Sequence, residues 1–439
     1  MNMLARLLLI FLLAILSKTA CLAADNKTGI YNFQETNSSY GFRALLLEDH
    51  SSSIVSMAVT FKNAGYAYDP AEKQGLAAMA AALMKEGAGG RNAAEFAEII
   101  ESNGIELDFD VDIDDLNITL KTLTKNIDIA IELIRDALTK PLFEPSCIER
   151  VKNRFAVLHS NQDSDPVSLG ARKFMETAFG DHAYSQSKLG NAATIKNINA
   201  SDLSQYVKKA INRVNIVISA VGDISKSKLA NLLDEYLIDL PLVSANPKLI
   251  IDVDPLERVN PVHVEKDFAQ SVIFFGQKGI SPASPKYYTA LIVNYIIGGA
   301  GFQSILFDEL REKRGLIYTI RTEFQSYAHT NFWYGRTATI NPSGVIELIR
   351  ESIATLKRDG ISEAQLEAAK SNIISNFMLN LDTNSKIAAI LQRMQILNLG
   401  KDYITKLAER INAVSTSEVL SVIQETLEPT NFIFVSVGK

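Results

Sequence analysis

Two hydrophobic rhythms alternate along this chain. Apolar residues recur at every second position or in short runs at Ile54, Met57, Val59 and Phe61, and again over Ser271–Phe275. That rhythm predicts strands. Between them lie segments with apolar residues at i, i+3, i+4 and i+7, which predict helices over 75–85, 93–103, 127–139, 286–297 and 344–359. Ile105–Val111 and Leu116–Leu123 read as further strands, the second alternating apolar and polar. Each half closes on a β-branched run. Strands joined by short turns and followed by helices predict α+β domains, each a mostly antiparallel sheet with helices packed on one face.

The pattern repeats. Ile131-Glu132-Leu133-Ile134-Arg135-Asp136 returns as Ile346-Glu347-Leu348-Ile349-Arg350-Glu351, an offset of 346 − 131 = 215. Asn215-Ile216-Val217-Ile218-Ser219-Ala220-Val221-Gly222 returns as Asn431-Phe432-Ile433-Phe434-Val435-Ser436-Val437-Gly438, an offset of 431 − 215 = 216. Two distant matches at nearly one offset imply an internal duplication. Pro241, Pro247, Pro255 and Pro261 fall between the halves with little helical periodicity. The expected organisation is therefore a first domain over 25–240, an extended linker over 241–265 and a second domain over 266–439.

The N-terminus predicts export. Met1–Arg6 carries one positive charge, Leu7–Leu16 is an apolar run, and Ala20-Cys21-Leu22-Ala23-Ala24 supplies small residues for cleavage. That layout is a secretory signal peptide over 1–24, with a retained anchor as the alternative. Lys18 stands where a lipoprotein signal wants an apolar residue. Cys147 is the one cysteine beyond the signal, so neither an internal disulfide nor a cysteine-based zinc site is expected. Export without disulfides fits the bacterial periplasm, or secretion. With 47% apolar and 21% charged residues the chain can bury sizeable cores, and a net charge of −6 argues against nucleic acid as a partner.

Several segments carry a family likeness. Phe61-Lys62-Asn63-Ala64-Gly65-Tyr66, Asp69-Pro70, Lys73-Gln74-Gly75-Leu76-Ala77 and Lys85-Glu86-Gly87-Ala88-Gly89-Gly90-Arg91-Asn92 resemble the opening of the M16 metallopeptidases, the pitrilysin and processing-peptidase type. Ile100-Glu101-Ser102-Asn103-Gly104-Ile105-Glu106-Leu107 continues the match, as do Asn294-Tyr295-Ile296-Ile297-Gly298-Gly299-Ala300-Gly301-Phe302 and Leu310-Arg311-Glu312-Lys313-Arg314-Gly315-Leu316-Ile317-Tyr318. The resemblance implies two homologous α+β domains per chain and two chains enclosing a substrate chamber.

Catalytic members of that family carry His-x-x-Glu-His on the helix that begins at Gly75. Histidines four apart share one helix face and a zinc ion, and the Glu activates the bound water. In this chain the three positions are Ala78, Ala81 and Ala82. The family's third ligand, a Glu, falls near Val157-Leu158-His159, where no Glu stands. His50, His182, His263 and His329 form no i, i+4 pair. No cofactor is expected in this chain; zinc is expected in a partner chain that keeps the motif.

Family members also carry an Arg and a Tyr seven residues apart in their last domain, aimed at the zinc across the chamber. Arg311 and Tyr318 match that pair, which implies that this chain lends them to a partner's active site. Without the resemblance, an Arg in the charged stretch 308–314 reads as solvated and a Tyr before a strand reads as packing. Gly298, Gly299 and Gly301 lack the Gly-Lys-Ser/Thr of a phosphate loop and read as close backbone packing or a chamber lip. Asp110, Asp112, Asp114 and Asp115 lack calcium-loop spacing and read as a turn on a solvated surface. The alternative to a non-catalytic peptidase subunit is a purely structural or peptide-binding shell.

Overall fold

A computed structural model describes residues 32–243 and 249–439. The expected signal over 1–24 lies outside the described residues. Among the described residues no helix is long and apolar enough to cross a membrane.

The first half builds a six-stranded sheet from β1 (Gln34–Asn37), β2 (Arg43–Glu48), β3 (Ile54–Phe61), β4 (Glu106–Val111), β5 (Leu116–Leu123) and β6 (Ile216–Gly222). Its order is β1-β2-β6-β3-β5-β4, antiparallel except where β2 runs parallel to β6. The second half builds five strands: β7 (Val262–Glu265), β8 (Ser271–Lys278), β9 (Ile320–Ser326), β10 (Asn331–Thr339) and β11 (Ile433–Gly438). Their order is β9-β10-β8-β11-β7, with β7 parallel to β11 and the other pairs antiparallel. The repeated segments hold equivalent places. β6 inserts between β2 and β3 as β11 inserts between β7 and β8, and the other repeat lies on α2 (Ile127–Thr139) in one half and α6 (Pro342–Asp359) in the other.

One face of each sheet is covered by helices of its own half, as expected. The opposite face is covered by a helix from the other half. α4 (Pro166–Phe179) crosses onto β8 and β11, and α7 (Asn384–Ile396) crosses onto β3 and β6. Phe174 of α4 packs against Phe274, Phe332 and Tyr334, with ring centres 5.8–6.5 Å apart. Gly170 lets that helix approach, since a Cβ there would meet the Phe274 ring at 2.5 Å. On the other side Ile387, Ala388, Leu391 and Met394 of α7 are buried against Leu45, Leu47, Ala58 and Val221. Gln395 Nε2 donates to the Ile218 carbonyl at 3.0 Å and the Ser219 hydroxyl at 2.9 Å.

This double cover explains the near-continuous burial of β3, β8 and β11, where a one-faced sheet would alternate. The edge strand β4 does alternate, with Leu107, Phe109 and Val111 inward and Glu106, Asp108 and Asp110 outward. Exchange of helices makes the two halves one body: Leu391 is wholly buried against the other half's sheet, and each such side chain contributes about 1.5–3 kcal/mol.

The linker ends earlier than its prolines suggest. Val262–Glu265, inside the expected linker, pairs with β11 as an edge strand; Pro261 precedes its first residue, a place where the missing N–H costs no ladder bond.

Candidate functional site

The helix expected to carry the family's zinc motif is α1 (Leu76–Leu83). Gly75 sets its start with φ 94°, a left-handed conformation that favours glycine. The Asp69 carboxylate accepts from the N–H groups of Gly75 at 2.8 Å and Ala77 at 3.0 Å, satisfying two orphan donors of the first turn. Ala78 and Ala81 are buried and Ala82 half-buried, all packed into the first half's core. Methyl groups hold no metal and accept no proton, so these residues do not fit a zinc ion.

Val157, Leu158 and His159 lie on α3 (Pro145–Ser164), which packs on α1. Val157 and Leu158 are exposed, and His159 faces Asp163 at 3.9 Å. The other histidines have separate partners: His50 with Asp223 at 2.6 Å, His182 with the Ile251 carbonyl at 3.0 Å, His263 with Ser436 at 2.9 Å and His329 with Asp252 at 3.0 Å. Among the described residues no three His, Cys, Asp or Glu side chains are grouped to hold a metal.

Arg311 and Tyr318 are brought together. The Ser304 hydroxyl caps the turn Ile305–Phe307, which runs on into the wider helical turn Asp308–Glu312. Gly315, at φ +66°, then reverses the chain, and the Leu316 N–H donates to the Leu310 carbonyl at 2.8 Å. Leu310, Ile317 and Ile320 point inward and are almost wholly buried, so Arg311 and Tyr318 point outward. The guanidinium carbon stands 5.9 Å from the centre of the Tyr318 ring. From β10, the Thr339 hydroxyl donates to the Leu316 carbonyl at 2.8 Å and the Thr337 hydroxyl to the Thr319 carbonyl at 2.7 Å. These two bonds frame Tyr318 on both sides.

Electrostatics separate Arg311 from its neighbours. Lys313 pairs with Asp308 and Glu309, and Arg314 donates to the Glu309 carbonyl and carboxylate. Arg311 makes no ion pair or side-chain hydrogen bond among the described residues, and the Tyr318 hydroxyl makes none either. Tyr318 is 75% exposed. The pair therefore presents a permanent cation and a hydroxyl donor that the fold does not consume.

The glycines divide. A Cβ on Gly298 would meet Thr322 at 2.6 Å and one on Gly299 would meet Asn294 at 2.8 Å, so both serve close packing. Gly301, at φ +58°, opens to space beside Phe302, which is 78% exposed.

The acidic run differs from its expected solvated turn. It is a turn between β4 and β5, but Asp114 and Asp115 are only 4% and 7% exposed. Asp114 accepts from the Tyr184 hydroxyl at 2.6 Å and, across to the second half, from the Ala328 N–H at 2.7 Å. The other half's loop 327–329 covers the turn, which a local reading of the sequence cannot foresee.

Two family models cover most of the chain. The one described as "Insulinase (Peptidase family M16)" matches residues 43–192, and "Peptidase M16 inactive domain" matches 197–373. The chain belongs to the M16 family. It is 24% identical to the "Non-peptidase homolog YmxG" of Helicobacter pylori over 394 residues, 89% of this chain and 90% of that one. Among solved structures it resembles a peptidase M16 inactive domain from Pseudomonas fluorescens, with TM-score 0.86, 24% identity, and 93% and 98% of the two chains covered. A chain in the Candida albicans complex III2 structure superposes with TM-score 0.77 at 17% identity, covering 93% of this chain and 96% of that one.

Proposed function

We propose that this chain is the non-catalytic, substrate-binding subunit of an exported two-chain zinc peptidase. A partner M16 chain bearing His-x-x-Glu-His supplies the metal and the general base, and this chain supplies Arg311 and Tyr318. The observation that carries the reading is the contrast between two places in one chain: alanines where the family's metal motif would stand, and an exposed, unconsumed Arg–Tyr pair in the second half.

The chemistry suits the division. Peptide hydrolysis develops an oxyanion, and a preorganised hydroxyl such as that of Tyr318 stabilises it by about 2.7–4 kcal/mol. Arg311 offers planar, permanently charged donors to substrate carbonyls. The substrate class is peptides or small unfolded proteins.

Co-expression with a His-x-x-Glu-His chain from the same genome tests this. A stable one-to-one complex is expected, with peptide hydrolysis far above that of either chain alone. A partner fully active by itself would overturn the proposal. The Helicobacter relative, named a non-peptidase homolog, favours a second reading in which the shell captures peptides without cleavage. Peptide binding by the complex with no turnover would decide for that reading.

A further inference from the structure

We infer that the first half carries a small-molecule site for an amphipathic carboxylate, an apolar body with one anionic head. The site is a half-enclosed cavity of about 540 Å³ between the end of β3 and α5 (Ala200–Ala210). Its size falls within the range of about 300–1,000 Å³ typical of ligand pockets.

The floor is apolar. Ala64, Leu76, Tyr206 and Ala210 line it and are buried. The Tyr206 hydroxyl turns away into the wall and donates to the Ala64 carbonyl at 2.6 Å, so the ring offers its apolar body to the cavity. The walls are tied in advance. Asn215 Nδ2 donates to the Lys62 carbonyl at 2.6 Å and the Ala210 carbonyl at 2.8 Å, joining the β3 end to α5. A site held without its ligand costs less ordering on binding.

The rim is cationic. Lys62, Lys73 and Lys209 line the cavity, and the two lining acids are buried and engaged: Asp202 pairs with Lys73, and Asp69 accepts from the N–H groups of Gly75 and Ala77. Lys62 and Lys209 are exposed and make no side-chain hydrogen bond or ion pair among the described residues. Two ammonium groups that make no ion pair stand over an apolar floor, Lys62 feeling the buried Asp115 carboxyl only at longer range. Charge complementarity selects an anionic head; the floor selects an aliphatic or aromatic body.

Isothermal titration with decanoate below its micelle threshold tests the assignment, with decylammonium and a peptide bearing a free C-terminal carboxylate as comparisons. Saturable one-to-one binding of decanoate is expected. It should weaken about tenfold or more in the Lys62→Gln/Lys209→Gln variant, as loss of charge-assisted contacts requires, and weaken with added salt. Both lysines are exposed, so the variant should melt with the parent. Equal binding of decylammonium, decanoate binding unchanged in the variant, absence of saturable binding, or preference for the peptide would each overturn the inference.

Discussion

Arg311 and Tyr318, seven residues apart, stand with guanidinium and ring 5.9 Å from each other on the surface, and the fold spends neither polar group on itself. Their contact is a weak cation–π approach worth about 0.5–1 kcal/mol at an exposed site. The energy that holds the pair lies beneath it, in buried Leu310, Ile317 and Ile320. In the proposed two-chain complex, Arg311→Ala and Tyr318→Phe should each lower kcat by about one to three orders of magnitude. Melting temperatures should stay with the parent, because exposed substitutions usually change stability by no more than about 0.5 kcal/mol. Unchanged turnover in both variants would remove the pair from the mechanism.

Gly315 separates geometry from chemistry. It touches neither polar group, yet its φ of +66° makes the reversal that returns Tyr318 to Arg311, and no atom lies within 4 Å of an added Cβ. Gly315→Ala therefore meets conformational strain alone, about 1 kcal/mol. Peptide turnover by the complex should drop more than that stability loss accounts for, and denaturant unfolding of the single chain gives the reference. A variant with full activity would show that the turn tolerates rearrangement.

The duplication and the strands were legible in sequence because each rests on a local or repeated pattern, whereas Arg311 and Tyr318 stood out only through the resemblance to the family and would otherwise read as a solvated cation and a packing ring. Ile127–Thr139 and Leu116–Leu123 begin and end as their periodicities predict. What could not be read depends on contacts between the halves. Nothing near Phe174 says that α4 crosses to the second sheet, although the largely apolar run of β11, broken only by Ser436, is a sign that both of its faces are covered. Thr337 and Thr339 carry no sequence sign of supporting Tyr318, since their partners, the carbonyls of Thr319 and Leu316, lie some twenty residues away. The same distance effect buries Asp114 and Asp115 in what reads as a surface turn, while Asp112 stays exposed.

Restoring the family's ligands tests whether loss of the motif is confined to three side chains. Ala78→His, Ala81→Glu and Ala82→His would place polar groups where Ala78 and Ala81 are 6% and 2% exposed in an apolar core. An unpaired buried polar group costs about 1–3 kcal/mol. The triple variant should unfold at clearly lower denaturant concentration than the parent and hydrolyse no peptide alone. A parent-like midpoint would mean that the face opens to solvent readily.

Asp115 gives the chain a pH signature. Burial, followed by the charges of Asp112 and Asp114, pushes its carboxyl up to about 7, against only the Asn63 N–H at 3.1 Å and the more distant Lys62 on the favourable side. Because the folded value lies above the unfolded value of about 3.9, the folded state holds this proton more tightly. Its contribution to stability is fully present below the unfolded value, declines as pH rises through about 7, and is gone above that. Asn keeps the acceptor for the Asn63 N–H without the charge. Asp115→Asn should therefore match the parent in chemical unfolding near pH 4 and exceed it near pH 8. The loop 327–329 covers this turn, and the parent's extra lability at high pH should appear as faster amide exchange at Ala328, whose N–H is bonded to the neighbouring Asp114. A parent and variant whose stability difference does not change between pH 4 and pH 8 would mean that Asp115 is ionised throughout and the turn is wetter than its burial implies.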